Sequence, residues 1–153
     1  MSYVDKILQP GETVLSKTRL HWFIYLRSII TIVLAIVVLG AGAFAAPDIR
    51  PYVQIAAAVL GLIGLWRLFT AWIRRSSTEL AVTNRRVIHK TGFFSRSTQE
   101  MNREKVESVE VQQPLTGRIF NYGTIIVRGV GSTWEPFAHI ADPLSFRSSI
   151  TAV

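Results

Sequence analysis

The chain has 153 residues, of which 49% are apolar, and its formal net charge is +7. Because it contains no cysteine, it can form no disulfide, thiolate metal site or cysteine nucleophile. Eight of its Lys and Arg residues, against three acidic residues, occur up to Arg75, in the part that also holds the apolar blocks. Attraction to anionic lipid headgroups therefore explains the positive charge better than binding to nucleic acid, which we do not expect.

The first predicted element is a β-strand over residues 12–20, with the sequence ETVLSKTRL. It follows a Pro10-Gly11 turn signal, and its side chains alternate in the manner of a strand. We assign residues 1–21 to an N-terminal segment that carries this first strand.

Two long apolar blocks follow. Residues 28–46 carry no charge, and a second block over residues 52–73 contains one charged residue, Arg67. Each block approaches the length of helix needed to cross a hydrocarbon core of roughly 30 Å. A cleaved signal peptide or two helices of a soluble bundle are the alternatives, but a second block follows the first at once and neither shows a polar face. We predict a transmembrane helical hairpin over residues 22–75.

Positive charge flanks the hairpin on one side only. Lys17, Arg19 and Arg27 precede or begin it and Arg74 and Arg75 end it, whereas the turn carries Arg50 alone. The positive-inside rule then predicts a multi-pass protein of the bacterial cytoplasmic membrane with both termini in the cytoplasm. Glycines in both blocks, at positions 40, 42, 61 and 64, would allow close packing within the hairpin or with another copy. The side chains predicted at the membrane interface or against headgroups are Arg19, Trp22, Arg27, Arg67, Trp72, Arg74 and Arg75.

From residue 76 onward the pattern changes to short alternating runs separated by turn residues, which indicates antiparallel strands. Residues 78–83 and 86–91 form a hairpin candidate, with Asn84 predicted in a left-handed turn conformation. A short C-terminal helix is expected from Asp142 as N-cap and Pro143 in the first turn. The remaining predicted strands cover residues 96–102, 106–112, 124–130 and 133–140. With the first strand the total is seven, and the membrane hairpin becomes an insertion between strands one and two.

Four segments carry a family resemblance: LAVTNRRVIHKTGFF, MNREKVESVEV, TGRIFNYGTIIV and FAHIADPLSF. Over residues 77–150 the chain resembles the bacterial pleckstrin-homology-like (PH-like) domain of small membrane proteins of the YdbS kind. The resemblance implies a seven-stranded, strongly bent antiparallel sheet, closed at one end by a C-terminal helix. The predicted fold is thus an α+β membrane protein in which residues 76–153 complete the PH-like domain.

No pattern in the sequence indicates catalysis or a cofactor. His21, His89 and His139 have no second ligand at helical or strand spacing, so we expect interfacial or solvent-facing histidines and no metal site. We find no phosphate loop, nucleophile elbow or paired-carboxylate arrangement. The segment over residues 114–122 is apolar and rich in turn formers, and we expect it in the core, with an exposed patch as the alternative.

Three residues of the soluble part are candidate contacts for a partner or a headgroup. Arg85 and Arg86 lie at the predicted hairpin tip, and Trp134 lies beside another. We predict a membrane-anchored, non-enzymatic PH-like interaction or scaffold module at the cytoplasmic face. Its expected partners are the bilayer and other membrane proteins or copies of itself, with no small-molecule substrate. The alternative is a lipid-binding or transport-accessory membrane subunit.

Overall fold

A computed structural model describes Val4 and residues 7–93, 97–133 and 136–152. The chain divides into two compact units. We call Met1–Phe23 together with Arg74–Val153 the β-domain, and Ile24–Ile73 the helical unit.

The β-domain contains two antiparallel sheets joined by a bridge. The strands are β1 Val14–Arg19, β2 Glu79–Thr83, β3 Arg86–Thr91, β4 Ser97–Asn102, β5 Val106–Gln112, β6 Tyr122–Gly129, β7 Ser132–Thr133 and β8 Phe137–Ala141. The first sheet has the order β1-β2-β3-β4, and in the second β6 pairs with β5, β7 and β8. An isolated bridge between Leu20 and Ile140, and a hydrogen bond of 2.7 Å from Thr18 Oγ1 to the carbonyl of Ala141, connect the two sheets.

The first strand pairs across the insertion. β1 precedes both long helices and β2 follows them, yet Lys17 of β1 lies opposite Ala81 of β2, and Arg19 opposite Glu79. The alternating burial of β1 agrees with the pattern that predicted it. The β-domain is therefore built from sequence on both sides of the helices.

The strand predictions differ from the structure in two places. The strand predicted over residues 133–140 is divided into β7 and β8, with Trp134 and Glu135 outside the described residues, as is Arg96 before β4. Asn84 does not take the predicted left-handed conformation, which non-glycine residues of the described chain adopt at Asn121, His139 and Asp142. Instead its side chain accepts a hydrogen bond from the backbone N–H of Thr13 and donates one to the carbonyl of Gly11.

The core of the β-domain lies between the sheets and under a C-terminal helix. That helix, which we number α4, covers Pro143–Thr151 and packs against β1, β2, β5 and β6. Asp142 occupies its N-cap position as predicted, but its side chain makes no capping hydrogen bond. Among the largest fully buried side chains are Leu80, Ile88, Ile125, Ile140 and Phe146.

The helical unit contains α1, Leu26–Gly42, and most of α2, Arg50–Ser77. The spans Trp22–Gly42 and Arg50–Ser77 are long and apolar enough to cross a membrane, and only 11% and 17% of their most apolar windows are buried. A core helix of a soluble protein would bury most of such a window. The low burial of these helices favours a membrane span over a soluble bundle, and the membrane hairpin stays a prediction.

Two of the four predicted glycines bring α1 and α2 close together. A Cβ atom on Gly64 would lie 2.6 Å from Ile32 Cγ1 and 3.2 Å from its backbone nitrogen, and one on Gly42 would lie 2.9 Å from Val53 Cγ1. Around Gly40, in contrast, nothing in the described structure lies within 4 Å of the added atom. Gly42 and Gly64 thus serve packing within the pair.

We expect Gly64→Val to destabilise the helix pair by about 1–3 kcal/mol, because the added side chain overpacks a contact that includes backbone atoms. Gly40→Val is the matched control, since its side chain enters open space. Thermal unfolding of both variants in detergent, followed by circular dichroism, measures the difference. Equal midpoints for the two variants would contradict this packing.

Candidate functional site

Of the two cations at the β2–β3 turn, Arg86 is held inside the β-domain. Its Nε and Nη2 atoms donate to the two carboxylate oxygens of Glu12, each at 2.9 Å, and Nη1 donates to Glu100 at 2.6 Å. A further hydrogen bond of 3.0 Å reaches the carbonyl of Ile7. The side chain predicted to contact a partner or headgroup is thus already engaged by two carboxylates.

Glu12 is the buried partner of this ion pair. Hydrogen bonding from Arg86 lowers the pKa of the Glu12 carboxyl to about 2 against the opposing effect of burial, and its other donors are Thr83 Oγ1 and the backbone N–H of Gln9. The hydrogen bond with Glu12 in turn raises the pKa of Arg86. The pair ties the segment before β1 to the β2–β3 turn, which indicates a structural role.

The other predicted contact residues are spread over the chain. Arg85 is exposed, and its side chain has no hydrogen bond or ion pair within the part of the chain that the structure describes. The exposed side chain of Arg19 pairs at 3.6 Å with Glu79, whose side chain is mostly buried. Arg75 Nε donates to the carbonyl of Leu20 at 3.1 Å. Trp134 lies outside the described residues, Arg27, Arg67, Trp72 and Arg74 lie on α1 or α2, and a contact of any of these residues with headgroups stays a prediction.

An open cleft of about 510 Å³ is lined by residues of β3, β4 and β8 and by Arg74. His89 and Gln99 face it from the first sheet, and Phe137 and His139 from the second. No Asp or Glu occurs among its described lining residues. One cation with neutral hydrogen-bonding groups and apolar walls is suited to binding a ligand.

His89 contradicts the expectation of an interfacial or solvent-facing histidine. Its side chain is buried, with its ring 4.1 Å from that of Phe137. Burial lowers the pKa of His89 to about 4, and a hydrogen bond with Gln99 opposes this shift. His89 is therefore neutral near pH 7, and it lies in the buried part of β3, beside Val87 and Ile88.

The lowered pKa of His89 predicts a loss of stability in mild acid. The unfolded chain takes up a proton at this histidine near pH 6.5 and the folded protein near pH 4. The unfolding free energy should therefore fall as the pH is lowered from about 6.5 to 4, by on the order of 2 kcal/mol. Burial also lowers the pKa of His21, so this residue should likewise reduce the unfolding free energy as the pH falls. Urea unfolding at several pH values measures the slope, which should become clearly smaller in His89→Gln; an unchanged slope would contradict this assignment.

A cluster of aromatic rings surrounds Tyr122 at the start of β6. Tyr122 is buried, and the ring of Phe23 stacks on it at 4.4 Å, with His21 at 5.6 Å and His139 at 5.7 Å. Phe120 extends the cluster, at 5.6 Å from Phe23. His139 contributes to both the cluster and the cleft, and its φ of +60° is an uncommon conformation for a side-chain-bearing residue.

Two backbone hydrogen bonds position His21 in this cluster. Its backbone N–H donates to the carbonyl of His139 at 2.6 Å, and its Nδ1 accepts from the backbone N–H of Phe23 at 3.2 Å. Burial, and then the positive charge of Arg75, lowers the pKa of His21. His21 is thus fixed by hydrogen bonds just after the end of β1, and its ring is held in the neutral form.

The segment over residues 114–122 forms a short helix, α3, over Leu115–Phe120. The expectation that this segment lies in the core is wrong for Leu115 and Ile119, which are mostly exposed. Gly117 is the buried residue of the helix, and a Cβ atom there would clash with the carbonyl oxygen of Tyr122. The helix thus packs through its glycine and through Phe120, and Leu115 and Ile119 face outward.

Within the helical unit, α1 and α2 border an apolar groove of about 290 Å³. Its walls include Ile36, Leu39, Ala58 and Leu65, and Gln54 provides a polar group. Its lining is suited to hydrocarbon more than to a polar ligand.

Across the described residues, no group of three or more His, Asp or Glu side chains has the arrangement of a metal site.

A family model described as "Bacterial PH domain" matches residues 23–152. The matched stretch includes both long helices and every strand of the β-domain except β1. No curated protein and no solved structure matches the chain at a significant level.

Proposed function

The chain belongs to the bacterial PH domain family, and from this premise we propose that it is a non-catalytic interaction module anchored in the cytoplasmic membrane by α1 and α2. In this proposal the β-domain lies on the cytoplasmic face, and the protein is a small bacterial membrane protein of the YdbS kind. Lys and Arg residues are concentrated before α1 and at the end of α2, whereas the turn between the helices carries Arg50 alone. This distribution supports the proposed orientation.

The observation that carries the proposal is the exposure of two long apolar helices, which lie in the sequence between the paired strands β1 and β2. Large side chains such as Ile36, Leu62 and Trp66 are more than 60% exposed. Leaving so much apolar surface in water is unfavourable, whereas a bilayer accommodates it and the helices satisfy their own backbone hydrogen bonds. Because β1 and β2 pair, the chain leaves the first sheet after β1, forms the two helices and returns to the same sheet at β2.

Labelling of single cysteines tests the membrane topology directly, because the chain has no native cysteine. Asp48→Cys lies in the turn between α1 and α2, and Ser148→Cys lies on the exposed side of α4. In spheroplasts, a membrane-impermeant maleimide should label the first from outside and the second only after lysis. Labelling of both, or of Ser148→Cys alone, in sealed spheroplasts would reject the proposed orientation.

We propose that the partners of this module are copies of itself or other membrane proteins. Because Gly42 and Gly64 are already used within the helix pair, self-association would use other surfaces, such as the open side of α1 at Gly40. Sedimentation in detergent at several protein concentrations tests this point. A monomer mass at every concentration would rule out self-association and leave other membrane proteins as partners.

A lipid-binding or transport-accessory subunit is the second candidate, and the apolar groove between α1 and α2 favours it. A groove of this lining could hold an acyl chain beside Ala58 and Gly61. Native mass spectrometry from a gentle detergent should then show retained lipid, and Ala58→Phe, which narrows the groove, should reduce it. Lipid-free protein under these conditions would eliminate this candidate.

A further inference from the structure

Four large side chains form an exposed apolar surface on the β-domain. We define the α3 patch as Trp22, Leu115, Ile119 and Phe120. Leu115 and Ile119 are 78% and 76% exposed, and Trp22 and Phe120 are more than 40% exposed. The patch is one surface, because the rings of Trp22 and Phe120 lie 6.0 Å apart, edge to face.

The patch is joined to the start of the first apolar span. Trp22 is the first residue of the span Trp22–Gly42. Phe23, the next residue, packs against both Phe120 and Tyr122 of the β-domain, at 5.6 and 4.4 Å. The ring of Phe120, at the end of α3, therefore lies 6.0 Å from that of Trp22 and 5.6 Å from that of Phe23, the residues at which the apolar span begins.

The charge around the patch suits an anionic lipid surface. Between residues 113 and 123 the single charged residue is Arg118, and it is exposed. Its side chain forms no hydrogen bond or ion pair with other described residues, in contrast to Arg128, which pairs with Glu110 at 3.2 Å. Apolar and aromatic side chains beside an unneutralised arginine are typical of segments that lie in a membrane interface.

We propose that the α3 patch inserts into the headgroup region of the bilayer and holds the β-domain on the membrane surface by a third contact besides the two helices. This inference rests on the proposed function, because it requires that α1 and α2 span the membrane. A lipid surface fits better than a second protein copy, since four side chains are far fewer than the roughly 20–30 residues a side of a stable protein interface. Aromatic side chains such as Trp22 and Phe120 are suited to the interface between headgroups and acyl chains.

Site-specific fluorescence tests the insertion in the full-length protein. We would attach an environment-sensitive nitrobenzoxadiazole label to three single-cysteine variants in liposomes of neutral and anionic phospholipid. Ile119→Cys reports on the α3 patch, and Ile36→Cys, which is exposed within α1, reports on the span. Leu144→Cys is the matched control, because Leu144 is an exposed apolar residue of α4 outside the patch.

An interfacial side chain lies roughly 5–10 Å into the boundary between headgroups and acyl chains. Lipids with a quencher near the headgroup should therefore quench the Ile119 label at least about twofold more strongly than the Leu144 label. Quenchers placed deep in the acyl chains should act mainly on the Ile36 label. Further support would come from weaker quenching at Ile119 after Arg118→Glu, which opposes anionic lipid.

Equal, weak quenching at Ile119 and Leu144, together with strong quenching at Ile36, would overturn the insertion of the patch while leaving the anchored module intact. Weak quenching at Ile36 would instead overturn the proposed function itself. If the Ile119 signal changed with the protein-to-lipid ratio and not with the quencher, a second copy would cover the patch, and the lipid assignment would be wrong.

Discussion

Replacing Arg86 with alanine is expected to destabilise the protein by about 3–5 kcal/mol, because the Glu12 carboxylate is left buried without its cation. Glu12 is 6% exposed, and Arg86 binds it through two hydrogen bonds of 2.9 Å. The same substitution removes the donors to Glu100 and to the carbonyl of Ile7. Chemical unfolding of the full-length protein in detergent measures this loss.

Arg85→Ala is the matched control. The two arginines are adjacent, but Arg85 is exposed and unpaired among the described residues, so its loss should change the unfolding free energy by less than about 0.5 kcal/mol. If both variants unfolded alike, the ion pair with Glu12 would not have the structural role assigned here. If both retained full stability but lost binding to anionic liposomes, the predicted headgroup contact would be supported for both residues.

The pH dependence of the unfolding free energy shows whether Arg86→Ala destabilises the protein by removing the ion pair or only by removing packing contacts. Because the pKa of Glu12 is lowered from 4.5 to about 2 in the folded protein, the pair contributes stability fully above pH 4.5 and loses it as the pH falls toward 2. In Arg86→Ala the main cause of the lowered pKa is gone, while burial still raises it. The fall in stability between pH 4.5 and 2 should therefore be smaller in the variant than in the parent.

The elements set by local patterns could be predicted from the sequence. Alternation over residues 12–20 predicted β1, and the two long apolar blocks predicted α1 and α2, because a period of two indicates a half-buried strand and a continuous apolar run of this length indicates a helix. Finding a strand before the blocks and strands after them was enough to predict the insertion. The pairing of β1 with β2 agrees with it.

Features that depend on distant partners could not be predicted. Arg86 and Glu12 are 74 positions apart, and nothing near Arg86 in the sequence indicates a buried carboxylate. Its neighbours in the sequence therefore predict only a cation at a turn. Likewise, the buried position of His89 depends on Phe137 of the other sheet.

The short helix α3 was missed for a different reason. Leu-Thr-Gly-Arg-Ile-Phe is too short for a helical periodicity to show, and its glycine reads as a turn signal. In the structure that glycine is the contact residue, and Asn121 ends the helix in a left-handed conformation, with its N–H bonded to the carbonyl of Gly117. An Asn at this position after an apolar run was the available sign of a helix end.

Removing the helical unit should leave a β-domain that folds without detergent. We expect this of a variant in which residues 24–73 are replaced by a short Gly/Ser linker. The ends to be joined are close, since Arg75 Nε lies 3.1 Å from the carbonyl oxygen of Leu20. This variant keeps β1, the bridge from Leu20 to Ile140 and the Glu12–Arg86 pair. Size-exclusion chromatography and dispersed amide signals in an NMR spectrum would establish a folded monomer.

A truncation that begins at residue 76 is the decisive comparison, because it removes the helices and β1 together. It exposes the edge of β2, where Leu80, Val82 and Thr83 are fully buried in the intact protein, and it leaves Arg86 without Glu12. We expect this chain to aggregate or remain unfolded, because an unpaired apolar strand edge favours association. If the truncated chain folded as well as the linked variant, β1 would be dispensable and the helices would be an appendage to the β-domain. If the linked variant alone folded, the helical unit would be an insertion in a domain whose first strand precedes it in the sequence, and both ends of the insertion would connect to strands of one sheet.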